Sequence, residues 1–263
     1  MNSLKNILKA IIPLQFRPWI KRFVLRIAYF GNRYYCPVCK SHTRLQKPLG
    51  LDFPVIKEKQ IVGAGLRIAL CPVCNSSDRI RLLYLFFKLK TNLFRDPLRL
   101  LHLAPEPSLQ QIFEKHKNIQ YLTADLHQED VMEKIDITHI QYPANTFDAI
   151  ICNHVLEHIP NDALAMTELY RVLKPKGWAV LQVPVSKVLK STFEDPSITD
   201  EADREILFGQ KDHIRIYGID YRERLAKAGF TVLEFSWVQD QKPIFQNRKI
   251  NLNRDEVVFY CLK

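Results

Sequence analysis

The sequence predicts an α/β protein: a mostly parallel sheet with helices on both faces and a final antiparallel hairpin, preceded by a small metal-binding module. Two observations carry this. Residues 147–184, FDAIICNHVLEHIPNDALAMTELYRVLKPKGWAVLQVP, read as strand, helix, tight turn, strand. AIIC (149–152) is a short apolar run of the kind buried between helices in a parallel sheet. Leu164, Leu169, Val172 and Leu173 then fall at helical spacing, Pro175 and Gly177 stop the helix, and WAVLQV (178–183) opens a second apolar strand. The other observation is a duplicated CPVC, at Cys36–Cys39 and Cys71–Cys74.

The wording of the βαβ unit, FDAI…VLEHI…EL.RVLKP.G, closely resembles the fourth and fifth strands of class I S-adenosylmethionine-dependent methyltransferases, of the type 11 kind. The resemblance covers roughly residues 98–263 and implies a Rossmann-like seven-stranded sheet. Its implied activity is displacement of the sulfonium methyl by an acceptor oxygen or nitrogen.

At 263 residues the chain can bury one large core plus a small accessory module, and 47% hydrophobic with 25% charged residues is ordinary for a globular protein. No apolar run approaches the ~20 residues needed to span a bilayer. The N-terminus lacks an apolar signal core with a small-residue cleavage site, so the expected location is the cytoplasm. Charge is unevenly placed. Ten Lys and Arg precede Asp52 with no Asp or Glu among them, so the whole surplus of +10 sits in the first fifth of the chain. In residues 1–30 these cations alternate with large apolar side chains, among them Phe16, Trp19 and Phe23, and Pro13 and Pro18 divide the segment. Such an arm can lie on an anionic membrane, here the inner face, grip RNA phosphates, or pack on the protein itself.

The CPVC pairs offer Cys36, Cys39, Cys71 and Cys74 as a closed four-thiolate set for structural Zn2+. The 31 intervening residues exceed the usual ribbon spacing, and Gly50, Gly63 and Gly65 supply turns that bring the pairs together. A redox motif would use a single such pair, and disulfides are disfavoured in a reducing compartment. Cys152 and Cys261 fall in apolar strand patterns and read as core. Asn75, Ser76, Ser77 and Asp78 offer N-caps for an amphipathic helix, RIRLLYLFFKLK (79–90). The expected division is an arm (1–30), a zinc module (31–78) and the sheet domain (79–263).

The first strand is placed at LRLLHLA (98–104), followed by Pro105-Glu106-Pro107-Ser108 and a helix near 109–117. The family usually has a glycine-rich turn here, with an acid near the strand end. In this chain His102 takes the acid's place and Ala104, Glu106 and Ser108 replace glycines, as in a subset of similar sequences with an hxAPE loop. The resemblance implies that Ala104 borders the cofactor and Glu106 pairs with its ammonium; a solvated surface turn is the alternative. The second strand, IQYLTADL (119–126), ends at Asp125, where an acid accepts hydrogen bonds from both ribose hydroxyls; an N-cap is the other reading. By resemblance, Asp136 meets the adenine amine and Ile137 packs beside the ring, against a loop Asp bonding its own backbone. Asn153 and His154 follow the fourth strand where the methyl group is presented, and Glu157 and His158 follow in the helix.

Residues 185–217 form an insert where the family often builds a substrate lid, containing KDHIRIYG (211–218). Its Asp212-His213-x-Arg215 resembles a DHxRxY phrase of the same subset. A histidine held by an adjacent acid can deprotonate a hydroxyl, or the residue can be structural. A helix (221–230) and strands (231–238 and 256–263) complete the domain. The sheet domain is neutral overall where a polynucleotide grip favours a basic face. The expected acceptor is therefore a small molecule, saccharide or lipid-linked compound. RNA and a non-catalytic adaptor of the same fold stand as alternatives.

Overall fold

The computed structural model describes residues 17–263, with side chains from Trp19 onward. The expectation for the arm therefore falls largely outside the described residues. Its described part is α1 (Arg17–Ala28), which leaves Trp19, Phe23, Val24 and Ile27 exposed.

The N-terminal module follows with β1 (Phe30–Cys36), β2 (Ser41–Thr43), β3 (Lys47–Leu49), α2 (Pro54–Glu58), β4 (Ile61–Val62) and β5 (Arg67–Leu70). β1 pairs with β2 and β3 with β5, both antiparallel. Gly50, Gly63 and Gly65 take φ of 95°, 82° and 85°, the left-handed region their turns require. α3 (Asp78–Lys90) starts where Ser77 accepts from the Ile80 amide at 3.2 Å. The sequence reads this helix as amphipathic, yet Arg81 on it is fully buried. Its guanidinium donates to the carbonyls of Ala69 and Ser76 in the module and of Ile250 and Asn251 near the C-terminus, at 2.8–3.0 Å.

The sheet domain runs β6 (Leu98–Leu103), α4 (Pro107–Phe113), β7 (Ile119–Asp125), β8 (Glu133–Lys134), β9 (Phe147–Asn153), α5 (Asp162–Val172), β10 (Leu173–Gln182), β11 (Val185–Ser186), β12 (Phe193–Glu194), α6 (Glu201–Phe208), β13 (Arg215–Ile216), α7 (Tyr221–Lys227), β14 (Thr231–Ser236), α8 (Pro243–Gln246) and β15 (Val257–Leu262). Its seven strands lie in the order β14-β15-β10-β9-β6-β7-β8. β8, β7, β6, β9 and β10 are parallel, and β15 is antiparallel to both β10 and β14. This is the Rossmann-like class I methyltransferase sheet.

Residue alternation on the central strands serves both faces. Leu101, Leu103, Ile150, Cys152, Ala179 and Leu181 pack with Ala165, Met166 and Leu169 of α5 and Leu225 of α7. Leu100, Ala149, Ile151, Trp178 and Val180 pack with Leu83 and Phe87 of α3 and Phe113 of α4. Cys152 and Cys261 are fully buried, as their pattern implies.

Local differences from the sequence reading have simple causes. α4 begins at Pro107, whose fixed φ suits the first helical position, and ends earlier than expected. Leu156–His158 form a separate 3-10 turn, because Pro160 and the Asn161 cap on the Leu164 amide delay α5 to Asp162. Pro175 and Gly177 lie in an irregularity within β10, between Leu173 and Trp178. Among the described residues no helix is long and apolar enough to cross a membrane.

The insert docks on the N-terminal module. β11 pairs antiparallel with β4, and Ser186 Oγ donates to the Lys59 carbonyl at 2.6 Å. Phe208 of α6 and Ile216 of β13 pack against Val55, Ile56 and Ile61.

Candidate functional site

β6 and β9 are neighbours at the centre of the sheet, where the strand order reverses. A crevice opens beyond the carboxyl ends of such a pair. The residue just past each strand is left-handed without being glycine: Ala104 at φ 46° and His154 at φ 55°. Each still donates its amide to a neighbouring strand, to Ala124 and Gln182 at 2.9 and 2.7 Å. Backbone held in this region costs about 1–3 kcal/mol and concentrates at functional sites. The usual glycine turn is thus replaced by an alanine that adopts the glycine-like conformation.

Glu106 begins α4 and ends a hydrogen-bond chain. The Tyr121 hydroxyl lies 2.8 Å from Nδ1 of fully buried His102, and Nε2 of His102 lies 2.9 Å from Glu106 Oε2. Asn153 Nδ2 donates to Glu106 Oε1 at 3.0 Å. Burial raises the Glu106 carboxyl, but the His102 bond and charge and the Asn153 bond outweigh it and hold it below its ordinary range. Asn153 is buried, and its Oδ1 has no hydrogen-bond partner among the described residues.

Asp125 ends β7, half-buried, with Oδ1 accepting from the amides of His127 and Gln128 at 2.7 and 2.8 Å. Among the described residues Oδ2 has no partner. Asp136 is exposed and accepts from the amide and hydroxyl of Thr138, which lower its carboxyl. Ile137 is buried in the core.

A cavity of about 820 Å³ lies between this edge and the module. Glu106, Ser108, His154, Glu157, His158 and His213 line it from the sheet domain; Gly63, Ala64, Gly65, Arg67 and Cys74 line it from the module. Lys21, Arg22 and Lys47 also border it. The structure thus brings Glu106, His154 and His213 to one cavity, with Asn153 bonded to Glu106; Ala104, Asp125, Asp136 and Ile137 are not among its lining residues.

Glu157 is 1% exposed, and among the described residues neither carboxylate oxygen makes a hydrogen bond. His154 Nδ1 lies 2.9 Å from Oε1 without the alignment of one, and His154 Nε2 is also buried and unpartnered. Burial would raise the Glu157 carboxyl, but His154, and then His158 and His213, bring it to about 2. Burial lowers His154, helped by Arg79, and drives His213 to about 4 against the pull of Glu157. Asp212, adjacent to His213 in the chain, turns to His158 instead. Its carbonyl oxygen is 3.0 Å and its carboxylate 3.4 Å from His158 Nδ1. Arg215 is buried and donates to the carbonyls of Leu156, Ile159 and Pro160, tying the insert to the 3-10 turn. Glu157 and His158 are the residues sequence reasoning left out of the site; their only local signal is the recurrent LEHI phrase.

The four module cysteines converge. Sγ of Cys36 and Cys74 are 3.7 Å apart, and those of Cys39 and Cys71 are 3.8 Å apart. A tetrahedral zinc with bonds of about 2.3 Å spaces its sulfurs about 3.8 Å apart, so the set fits that ion. Both knuckles end alike: the residue after each second cysteine, Lys40 or Asn75, is left-handed. Without a cation the four cannot ionise together. Cys36 is pulled down, first by its bond with Cys39, while Cys71 and Cys74 are pushed up, first by Cys36. Arg81 is a buried cation beside the set; burial lowers its guanidinium, and negative charge on Cys36 offsets this only in part.

Residues 103–181 match the family model of a methyltransferase domain. The matched span runs from the end of β6 to near the end of β10. No curated protein matches the chain at a significant level. Among solved structures, an S-adenosylmethionine-dependent methyltransferase from Mesorhizobium loti is similar at 14% identity and TM-score 0.48, over 72% of this chain and all of that one. The [4+2]-cyclase SpnF aligns at 14% identity and TM-score 0.48, covering 81% and 97% of the two chains. A SAM-dependent methyltransferase from Archaeoglobus fulgidus aligns at 13% identity and TM-score 0.45, covering 72% and 96%. The fold assignment rests on the strand order rather than on these values.

Proposed function

We propose that the chain is an S-adenosylmethionine-dependent methyltransferase acting on a small-molecule, saccharide or lipid-linked acceptor, with structural zinc in its N-terminal module. The observation that carries this reading is the cavity of about 820 Å³ at the carboxyl edge of the sheet, with Glu106 and His154 on its wall. A space of this size, roofed by the module and the insert, suits a compact ligand. Lys21, Arg22 and Lys47 at its border favour an acceptor bearing phosphate or carboxylate.

The residues present fit the cofactor. Glu106 offers a carboxylate for the ammonium, Asn153 Oδ1 is a buried acceptor without a partner, and Asp125 Oδ2 is open to the ribose hydroxyls. Asp136 and Ile137 follow β8, where the adenine would lie. When bound, the cofactor supplies an already activated methyl group, so the protein's task is alignment and proton removal. His154, whose Nδ1 lies 2.9 Å from the Glu157 carboxylate and whose Nε2 has no partner among the described residues, would take the acceptor's proton. His213, from the insert, lines the cavity beside Glu157 and His158.

Calorimetry of the full chain with S-adenosylmethionine tests the reading. One molecule should bind per chain, and Asp125→Ala should weaken binding by about 1.5–3 kcal/mol, roughly ten- to a hundredfold. Failure of the wild type to bind would leave the non-catalytic adaptor. Methyl label entering RNA rather than saccharide or lipid fractions would overturn the acceptor class.

A further inference from the structure

We propose that Glu157, His158 and His213 form a second metal site, separate from the four cysteines, that holds a divalent first-row transition ion on the cavity wall. One ligand atom from each residue lies within 4.8 Å of the others. All three line the cavity.

Two independent features mark the cluster as built for a ligand. Glu157 is almost fully buried, yet among the described residues neither carboxylate oxygen has an aligned hydrogen-bond partner; His154 Nδ1 approaches Oε1 at 2.9 Å and leaves Oε2 unmatched. A buried carboxylate left this way is costly unless it meets a cation. The second feature is the orientation of His158. Its Nδ1 faces the Asp212 carbonyl at 3.0 Å and the Asp212 carboxylate at 3.4 Å. A proton held on Nδ1 leaves the Nε2 lone pair free, and ligating histidines are commonly oriented by such an outer carbonyl or carboxylate.

Two imidazoles and one carboxylate suit zinc and neighbouring divalent ions better than magnesium or calcium. Three protein ligands leave further positions open to an oxygen from the cavity, the arrangement of a reactive rather than a structural site. A tetrahedral zinc with bonds of about 2.1 Å places its donors about 3.4 Å apart, so binding draws the three groups together by modest rotation. Because His213 comes from the insert and the other two from the 3-10 turn after β9, the ion would also pin the insert across the cavity. The proposal does not depend on methyl transfer.

Equilibrium dialysis of the full-length protein against Zn2+, followed by elemental analysis, tests it. Wild type should hold two ions per chain, and Glu157→Gln and His213→Ala one each, the cysteine site being retained. His158→Gln changes a half-exposed side chain and serves as a second variant should the buried substitution impair folding. With Co2+ the first equivalent should give sulfur-to-metal charge transfer and the second should add none. A wild type saturating at one ion, or a His158→Gln variant that folds and keeps both, would overturn the site.

Discussion

Nε2 of His102 lies 2.9 Å from Oε2 of Glu106, joining a core strand to the start of α4 across the cavity edge. His102 stands where the resemblance places an acid, and its ring meets the carboxylate of Glu106 four residues later. The bond holds Glu106 charged and pointed. Glu106→Gln should therefore reduce S-adenosylmethionine affinity at least about tenfold, the scale of one charged hydrogen bond, with little change in thermal midpoint. Calorimetry reads the affinity; an unchanged value means that the ammonium binds elsewhere.

Arg81 joins the module to the sheet domain through four carbonyls. Arg81→Met keeps much of the volume but removes a bond from each of those oxygens, the Ser76 carbonyl retaining the Cys71 amide. The expected loss is about 3 kcal/mol or more, or a fall in thermal midpoint of about 6–12 °C for a domain of this size. A shift under ~2 °C in a calorimetric melt would mean that water replaces the guanidinium without cost.

Asp78 and Arg67 form a two-bond ion pair at 2.7 and 2.9 Å. Burial raises the Asp78 carboxyl, but the Arg67 bond and charge outweigh it and lower it overall. A depressed folded value stabilises fully above the unfolded value of about 3.9, and that stability is lost as pH falls through the folded value. Asp78→Asn should thus cost about 2 kcal/mol or more at pH 7, with the gap from wild type narrowing as pH falls below the unfolded value and through the lower folded one. Urea titrations of both proteins at several pH values provide the check, and a gap independent of pH would refute the ionic account.

On α1, Trp19 and Phe23 stack with centroids 5.8 Å apart, and both are exposed, as are Val24 and Ile27. Lys21 is exposed on the same helix. We expect the full chain to sediment with anionic vesicles, and Trp19→Ser with Phe23→Ser and Ile27→Ser to lose most of that binding. Salt should weaken it only in part, since apolar insertion survives screening. Equal sedimentation of the triple variant would exclude this face.

Short-range pattern was enough for the parallel strands and their helices, because alternation and turn residues act within a few positions. AIIC, WAVLQV and the Ser77 cap announce their elements, whereas Pro175 and Gly177 fall within β10 rather than ending the helix. The duplicated CPVC likewise picks out the four cysteines that converge. Asp125 at the end of β7 and the pairing of β14 with β15 were readable for the same reason.

What only the tertiary structure decided are contacts whose partners lie far apart in the chain. Arg81 sits in a run of alternating cations and apolar residues, and its burial follows from carbonyls about 170 residues away that no local pattern records. Asp212 precedes His213, yet it serves His158, 54 positions earlier, because the insert folds back over the 3-10 turn. The left-handed backbone of Ala104 and His154 is invisible in residue types that seldom adopt it, and is imposed by the strands on either side. Local sequence sets which segments become strand or helix. The cavity, and the gathering of Glu157, His158 and His213 on its wall, arise only when the module and insert close over the sheet edge.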